Sequence, residues 1–414
     1  MDADSRWQCG PSGTEARVNS AGLLDGVRVV EVSSFVAVPL AGMTLAMLGA
    51  DVVRVDPIGG AADNERWPIT DAGDSIYWAE LNKAKQSVTA NFRSADGRDF
   101  VARLAAQAGV FITNRAGPDE HSFTALSSRR SDLIHVEVCG RADGSTAVDY
   151  TVNAGVGFPL VTGSEGSTTP TNHVLPAWDV ACGLYTALAV ASAVRDRERT
   201  GRGRFIRIPL EDVALALTGH LGFLTEAMVN GTERKRIGTA VYGQYGHHFD
   251  SCDGATFMLV ALTARHFRDL VSLTCTGAAV DALAEALQVD FADEGARYRY
   301  REVLNAVFAG WFGDRGRVEI EAALTGTTIL WERYRPFGEV VTEDRVVDNP
   351  LFTMVDHPRI GAYLAAGLPL GVDRRYPTAR RAPVLGEHTD VVFGERLGFG
   401  PSDLAAARSA GTIA

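Results

Sequence analysis

Gly26-Val27-Arg28-Val29-Val30-Glu31-Val32, followed by Pro39 to Leu48 and then by Ala50 to Asp56, is the stretch on which the fold turns. The first run is rich in valine, which suits a pleated, half-buried surface. Ser33 to Val38 is a bend of small and polar residues. From Pro39 the apolar spacing predicts a helix to Leu48, with proline in its first turn and Gly49 just past its end. Ala50 to Asp56 reads as strand again, which makes a β-α-β unit with parallel strands and a right-handed crossover. Working outward, Ser87 to Phe92 predicts a strand and Asp96 to Ala108 a helix capped by Ser94. Val110 to Asn114 and Leu133 to Val138 predict further strands. The expected fold class is α/β, with a Rossmann-like, doubly wound parallel sheet.

From Val180 the helical pattern is the clearest in the chain, because Val180, Leu184 and Leu188 share a face with Ala181, Tyr185 and Ala189 beside it. A charged stretch, Arg195 to Arg199, precedes the glycine stop Thr200-Gly201-Arg202-Gly203, and Arg204 to Leu210 alternates like a strand. Between about Gly231 and Gly326 the alternation lapses into a loop bearing glycine and histidine, one strand-like run at Thr256 to Ala261, and several amphipathic segments. The organisation read from this is a loose extension over 1–21 and the first part of a large domain over 22–225. A smaller inserted α+β domain follows over 226–330, and 331–414 return to the large domain.

A chain of 414 residues has room for two or three domains. With 46% hydrophobic and 22% charged residues, and no uninterrupted apolar run of bilayer length, it reads as a soluble protein with no membrane span. Met1 to Ala21 lack the charged start and apolar centre of a secretory signal. The five cysteines are scattered without metal-ligand or redox spacing, which fits reduced thiols in a cytoplasm. A net charge of −11 argues against a nucleic-acid surface. The chain has no G-x-G-x-x-G after its first strand, no phosphate loop ending in Lys-Ser or Lys-Thr, no G-x-S-x-G elbow and no H-E-x-x-H. A dinucleotide oxidoreductase, a P-loop enzyme, an α/β-hydrolase and a zinc protease therefore lose support. His247 and His248 are the sole adjacent histidines, and neighbours on a strand face opposite ways, so no metal site is expected.

One constellation remains. Leu175-Pro176-Ala177-Trp178-Asp179 places a carboxylate at the first turn of the apolar helix. By spacing alone Asp179 is a helix N-cap, accepting free amides and favoured by the positive end of the helix dipole. The same field keeps it ionised, and an ionised carboxylate can attack a thioester carbonyl. Cap and nucleophile are compatible.

Several runs, in order, then carry a resemblance: Leu24 to Val32, Gly49-Ala50-Asp51-Val52-Val53-Arg54-Val55-Asp56-Pro57, Asn82-Lys83-Ala84-Lys85-Gln86-Ser87, Thr200 to Gly203, and Leu385-Gly386-Glu387-His388-Thr389. The chain resembles the class III CoA-transferases from Leu24 onward. The resemblance implies an enzyme with Asp179 as covalent nucleophile, coenzyme A as part of the substrate, no prosthetic group, and an interlocked homodimer. Asp149 matches an acidic residue that assists in the transferase branch. In the racemase branch a histidine precedes that aspartate, whereas here Ala147-Val148-Asp149 stands in its place, so α-methylacyl-CoA racemisation is disfavoured.

Within the family, Phe35 to Leu40, Asp56 to Gly60, Val148 to Asn153, Asn172 to Asp179 and Asp348 to Phe352 resemble the members that move CoA between the C1 and C4 carboxyls of one mesaconate skeleton. Intermolecular transfer to a second carboxylate is the alternative. The resemblance places CoA near Val36, Ala37, Arg54, Ala90 and Asn114, with Arg54, Lys83, Lys85 and Arg115 as candidate phosphate partners. His173 is a candidate for the second carboxylate of a diacid, or a structural histidine. Backbone amides at Phe35-Val36-Ala37, or in the loop Tyr242-Gly243-Gln244-Tyr245-Gly246, are candidate oxyanion donors.

Overall fold

The computed structural model describes residues 22–115 and 117–414, so the expected extension over 1–21 lies outside the described residues. The chain forms two compact units. One holds 22–156, Val174–Thr225 and Asp344–Ala414; the other holds Gly157–His173 and Glu226–Glu343. The second unit thus takes in 157–173 and 331–343 besides the segment 226–330.

The first unit is built on six parallel strands: β1 (Arg28–Val32), β2 (Asp51–Pro57), β3 (Gln86–Ala90), β4 (Val110–Thr113), β5 (Ile134–Cys139) and β6 (Arg204–Pro209). Their order is β3-β2-β1-β4-β5-β6, and Val30 of β1 stands opposite both Val53 and Phe111. Valine and isoleucine run continuously along these strands because both faces are covered: Val29, Val30, Val53, Val55, Ile112 and Val136 have no exposed surface. In this order the chain leaves β1 toward one edge and returns at β4 toward the other. The crevice beyond the carboxyl ends of β1 and β4 is the topological switch point, where open α/β sheets bind ligands.

The connecting helices follow local signals. Helix α1 spans Ala37–Met47, beginning two residues ahead of Pro39, whose missing N–H costs nothing in a first turn. Helix α2 spans Ile76–Leu81, and α3 spans Ala95–Ala108 with the Ser94 hydroxyl accepting the Gly97 N–H at 3.0 Å. Helix α4 is Phe123–Arg129 and α5 is Asp149–Gly155; α6 (Phe158–Val161) belongs to the second unit.

Helix α7, Ala177–Thr200, packs differently from what its apolar spacing suggests. The face carrying Leu184, Tyr185 and Leu188 is exposed, not buried. The buried face is instead made of small residues, including Cys182, Gly183, Thr186, Ala187 and Ala193, because α7 lies close along α1. Gly183 sets that approach: a Cβ there would stand 2.6 Å from the Ala37 carbonyl oxygen. Among the described residues α7 is also the one helix long and apolar enough to cross a bilayer, a property the scattered charges of its last turns hide in the sequence, but its inner face is packed within the unit.

The C-terminal segment seals the β3 edge, which explains the Leu385 to Thr389 signature structurally. The His388 N–H donates to the Ser87 carbonyl at 2.8 Å, the Gly386 N–H to the Ser87 hydroxyl at 3.0 Å, and the Asn91 N–H to the Thr412 carbonyl at 2.8 Å. A covered edge offers no template for another strand.

In the second unit β7 (Tyr245–Asp250), β8 (Thr256–Ala261) and β9 (Leu330–Arg333) form an antiparallel sheet. Its core joins Phe257 and Leu259 to Phe267, Phe308 and Phe312 of the helices Ala264–Leu273 and Arg301–Gly313. The composition-based expectation of an α+β unit agrees with this arrangement. In the first unit β10 (Phe352–His357) and β11 (Gly361–Ala366) pair as an antiparallel hairpin.

Gly183→Val forces α7 away from the backbone of α1. Overpacking of this kind lowers the melting temperature by roughly 3–10 °C in a thermal melt followed by circular dichroism; an unchanged melting temperature would contradict the close approach.

Candidate active site

The crevice beyond β1 and β4 opens into a cavity of about 700 Å³. Ser34, Phe35, Val36 and Ala37 form one wall, and Asn114 meets them from β4. Asn114 clamps the bend from both sides: its Oδ1 accepts the Ser34 N–H at 2.9 Å and its Nδ2 donates to the Ser34 carbonyl at 2.7 Å. Phe35 is held at φ 64°, a left-handed conformation unusual for a bulky residue and typical of functional bends. Three helices start at the cavity: α1 at Ala37, α5 at Asp149 and α7 at Ala177, with Asp179 in its first turn. First-turn N–H groups have no acceptor within their own helix, so this wall is rich in donors.

The cap of α7 is not Asp179. Pro176 occupies the cap position and has no side chain to offer, and Asp179 is the third residue of the helix. Asp149, brought across by α5, does the capping: its Oδ2 accepts the N–H of Trp178 at 2.8 Å and that of Asp179 at 3.0 Å. Trp178 donates its ring N–H to the Asn153 side chain at 3.1 Å, which ties α5 to α7 a second time. With Asp149 satisfying the amides, the Asp179 carboxyl is left directed at its own surroundings. Burial, then the nearby Asp149 charge, push it up to about 7, while Arg66 pulls the other way. The expectation that the helix dipole keeps Asp179 well ionised is therefore corrected: desolvation and a like charge outweigh the dipole.

The other candidates divide. Val36, Ala37 and Asn114 line the cavity with Asp149 and Asp179. Arg54 does not. It has no exposed surface, and it donates to Asp56 at 2.9 and 3.0 Å, to Asp63 at 2.9 Å, to Asn82 at 3.0 Å and to the Ser33 carbonyl. Burial alone would favour losing its proton, but Asp56 and Asp63 reverse this and hold it firmly charged. Lys85 is equally enclosed, donating to Glu31, the Pro39 carbonyl and Asn82, and Lys83 is buried against Glu80. These three cations are buried beneath the bend with protein partners, away from the lining of this cavity; Ala90 is likewise fully buried. Removing the Arg54 guanidinium would leave several buried carboxylates unpaired, at a cost of about 3–5 kcal/mol.

Arg115 lines a different cavity, of about 590 Å³, with Phe92, His121, His135 and Phe205. Its guanidinium lies 5.7 Å from the Phe92 ring centroid. His173 and the loop from Tyr242 to Gly246 belong to the second unit, where Tyr242 donates to Glu226 and faces Arg234, and Tyr245 opens β7. Among the cavity residues that escaped the sequence reading are Arg66 and Tyr77. Their signal is faint: a lone Arg-Trp pair and, eleven residues on, a Tyr-Trp pair in a glycine-bearing connection. No group of three or more histidine, cysteine or acidic side chains suited to a metal occurs among the described residues.

Against this geometry, the sequence model of CoA-transferase family III matches residues 24–389. The chain belongs to CoA-transferase family III. It is 42% identical to the 2-methylfumaryl-CoA isomerase of Chloroflexus aurantiacus over 402 residues, covering 95% of this chain and 98% of that one. It is 26% identical to the succinyl-CoA:mesaconate CoA-transferase of Haloarcula marismortui, covering 90% of this chain and 96% of that one. Among solved structures it is similar to a CaiB/BaiF family protein from Brucella suis, with a TM-score of 0.76 and 26% identity, covering 91% of this chain and all of that one. It is an enzyme of this family, with an acyl-CoA substrate.

The raised Asp179 carries a stability consequence with a definite sign. Its carboxyl binds protons more tightly folded than unfolded, so ionisation costs nothing below the ordinary carboxylate range, and the cost grows until pH passes about 7. Asp179→Asn removes that cost. The variant gains stability over the parent from about pH 4 upward, levelling above pH 7 at about 2–4 kcal/mol, as measured by urea denaturation across pH. A difference that is flat with pH would contradict the burial.

Proposed function

We propose that this protein moves CoA between the C1 and C4 carboxyls of one mesaconyl skeleton, converting 2-methylfumaryl-CoA to 3-methylfumaryl-CoA through a covalent aspartyl-CoA on Asp179. The observation that carries the reading is a half-buried carboxyl, raised by desolvation and by Asp149, set in a cavity at the switch point with three helix starts around it. The likeness to the Chloroflexus aurantiacus isomerase over almost the whole of both chains supports the substrate.

In this route the Asp179 carboxylate attacks the thioester carbonyl, forming a mixed anhydride and expelling CoA thiolate. The thiolate attacks the aspartyl carbonyl, forming aspartyl-CoA and releasing the dicarboxylate within the cavity. The other carboxylate then attacks aspartyl-CoA, expelling thiolate again, and the thiolate attacks the new acyl carbonyl to restore Asp179. Each tetrahedral stage carries an oxyanion, and the first-turn amides of α1 at Ala37 and Val38 are suited to receive it. Asp149 acts as a positioning residue, fixing the start of α7. CoA is a substrate moiety here, not a prosthetic group, and the aromatic cavity that Arg115 lines is available to its nucleotide end.

Val148 supports transfer over racemisation, since an exposed valine at the cavity wall cannot shuttle an α-proton. The free thiols at Cys139, Cys182, Cys252 and Cys275 support a reducing, cytoplasmic setting. The exposed Leu184, Tyr185 and Leu188 of α7 support burial of this face in a homodimer.

Incubation with mesaconyl-C1-CoA, followed by hydroxylamine or borohydride trapping and peptide mapping, tests the reading. Modification at Asp179 with appearance of the C4 thioester is expected; full turnover by Asp179→Ala would sink it. The attacking form is the carboxylate, so the rate of adduct formation rises with pH through an apparent pKa near 7. Asp149→Asn keeps an oxygen for the cap but removes the like charge, and moves that limb to lower pH by about 1 unit. A limb unmoved in this variant would show that the two carboxyls are not coupled.

A further inference from the structure

The cavity holds a cation that the transfer chemistry leaves unused. Arg66 is its sole lining arginine or lysine among the described residues, and its charge acts on the Asp179 carboxyl of the same cavity, which it pulls down against burial. Arg66 is exposed, but its Cζ lies 5.3 Å from the Phe35 ring centroid and 5.0 Å from that of Tyr77, so two aromatic faces attract it. Its backbone is held as well, because the Ser75 hydroxyl donates to the Arg66 carbonyl at 2.6 Å. Just upstream, Asp63 of the short turn Ala62–Glu65 is anchored by buried Arg54.

Tyr77 adds an unanswered group. It lines the same cavity, and its hydroxyl is buried with no hydrogen-bond partner. A buried polar atom without a partner costs free energy unless a ligand supplies one. A guanidinium set against two rings and an unpartnered hydroxyl on one of them are a donor set for one planar anion, and the guanidinium fork matches a carboxylate in two parallel hydrogen bonds. The two carboxyls at Asp149 and Asp179 line the same cavity and repel a free anion. A dicarboxylate held there needs a cation.

We propose that Arg66 and Tyr77 form the subsite for the free carboxylate of a dicarboxylic substrate, holding the released diacid in the cavity while its two carboxyls exchange CoA. This deepens the transfer reading and rests on it for its catalytic meaning, but the subsite itself is a binding claim. Phe35, in its left-handed conformation, is part of the device, since that backbone twist is what sets its ring against Arg66. A monocarboxylic acyl group makes no use of the pair.

Two measurements separate the claims. The first is equilibrium binding by calorimetry of free mesaconate and of tiglate, which replaces one carboxylate by methyl on the same skeleton. The parent protein prefers mesaconate by at least about tenfold, Arg66→Met abolishes the preference, Arg66→Lys restores part of it, and Tyr77→Phe reduces it by roughly threefold to tenfold. Circular dichroism confirms that each variant is folded. No preference in the parent, or a preference intact in Arg66→Met, overturns the subsite. The second is the labelling rate of Asp179 by mesaconyl-C1-CoA and by tiglyl-CoA. Arg66→Met slows the first on the order of 100-fold relative to the second. An equal effect on both assigns Arg66 to tuning Asp179 and also overturns the subsite. Preferred mesaconate binding with no labelling of Asp179 by either thioester supports the subsite and rejects the aspartyl-CoA route.

Discussion

The two hydrogen bonds from the N–H groups of Trp178 and Asp179 to one oxygen of Asp149 are the constraint on which the site depends. Pro176 leaves the start of α7 without a cap of its own, so an acid from a different helix must supply it. The consequence is larger than the stability of one helix end. Because Asp149 takes the amides, Asp179 is relieved of capping, and Arg66 is the cation that favours its charge. Because Asp149 is itself buried and close by, it adds a like charge. One contact thus fixes the backbone of Asp179, frees its side chain and raises its basicity.

Beneath the bend the opposite principle operates. Arg54 and Lys85 are enclosed by Glu31, Asp56, Asp63 and Asn82, with the hydrogen-bonding capacity of Arg54 spent on several oxygens at once. Such a network gives geometry in place of binding power, since charges paired this completely attract no further anion. Its members reach β1, β2, the turn Ala62–Glu65 and the residues after α2, so it holds in register the segments that carry Ser34, Phe35 and Arg66 to the cavity. The contrast between Arg54, buried and saturated, and Arg66, exposed and set against two rings, is the contrast between scaffold and recognition.

Much of the fold was legible in the residues because it rests on local rules. Valine-rich strands, the Ser94 cap, the glycine stop at Gly201 and the β-α-β rhythm are nearest-neighbour signals, and each strand of the six falls within about two residues of its expected place. The site was legible only in part. Asp179 and Asp149 were found through the resemblance, and the cavity brings them together, but their division of labour was not visible, because a cap supplied from thirty residues upstream leaves no local pattern. The face of α7 was misjudged for a related reason. Periodicity finds the face with the largest apolar residues, whereas close helix packing selects the smallest, and Gly183 against Ala37 wins over Leu184 and Leu188. Arg54 was placed near CoA by the resemblance and offered to phosphate on its charge, and neither says whether a guanidinium points inward.

A carboxyl titrating near 7 also bears on how a reversible exchange is driven. Free Asp179 holds its charge against burial and against Asp149, and both penalties vanish when the oxygen enters a neutral anhydride or thioester. On the proposed route the uncharged acyl states are therefore brought closer in free energy to the resting state than they would be for an exposed aspartate. The same basicity makes the carboxylate a stronger nucleophile, and at neutral pH it still leaves a substantial fraction ionised. A lower pKa would make attack weaker and the covalent states relatively less stable; a much higher one would leave too little nucleophile. Burial and one neighbouring charge, both set by the start of α7, place Asp179 between those limits.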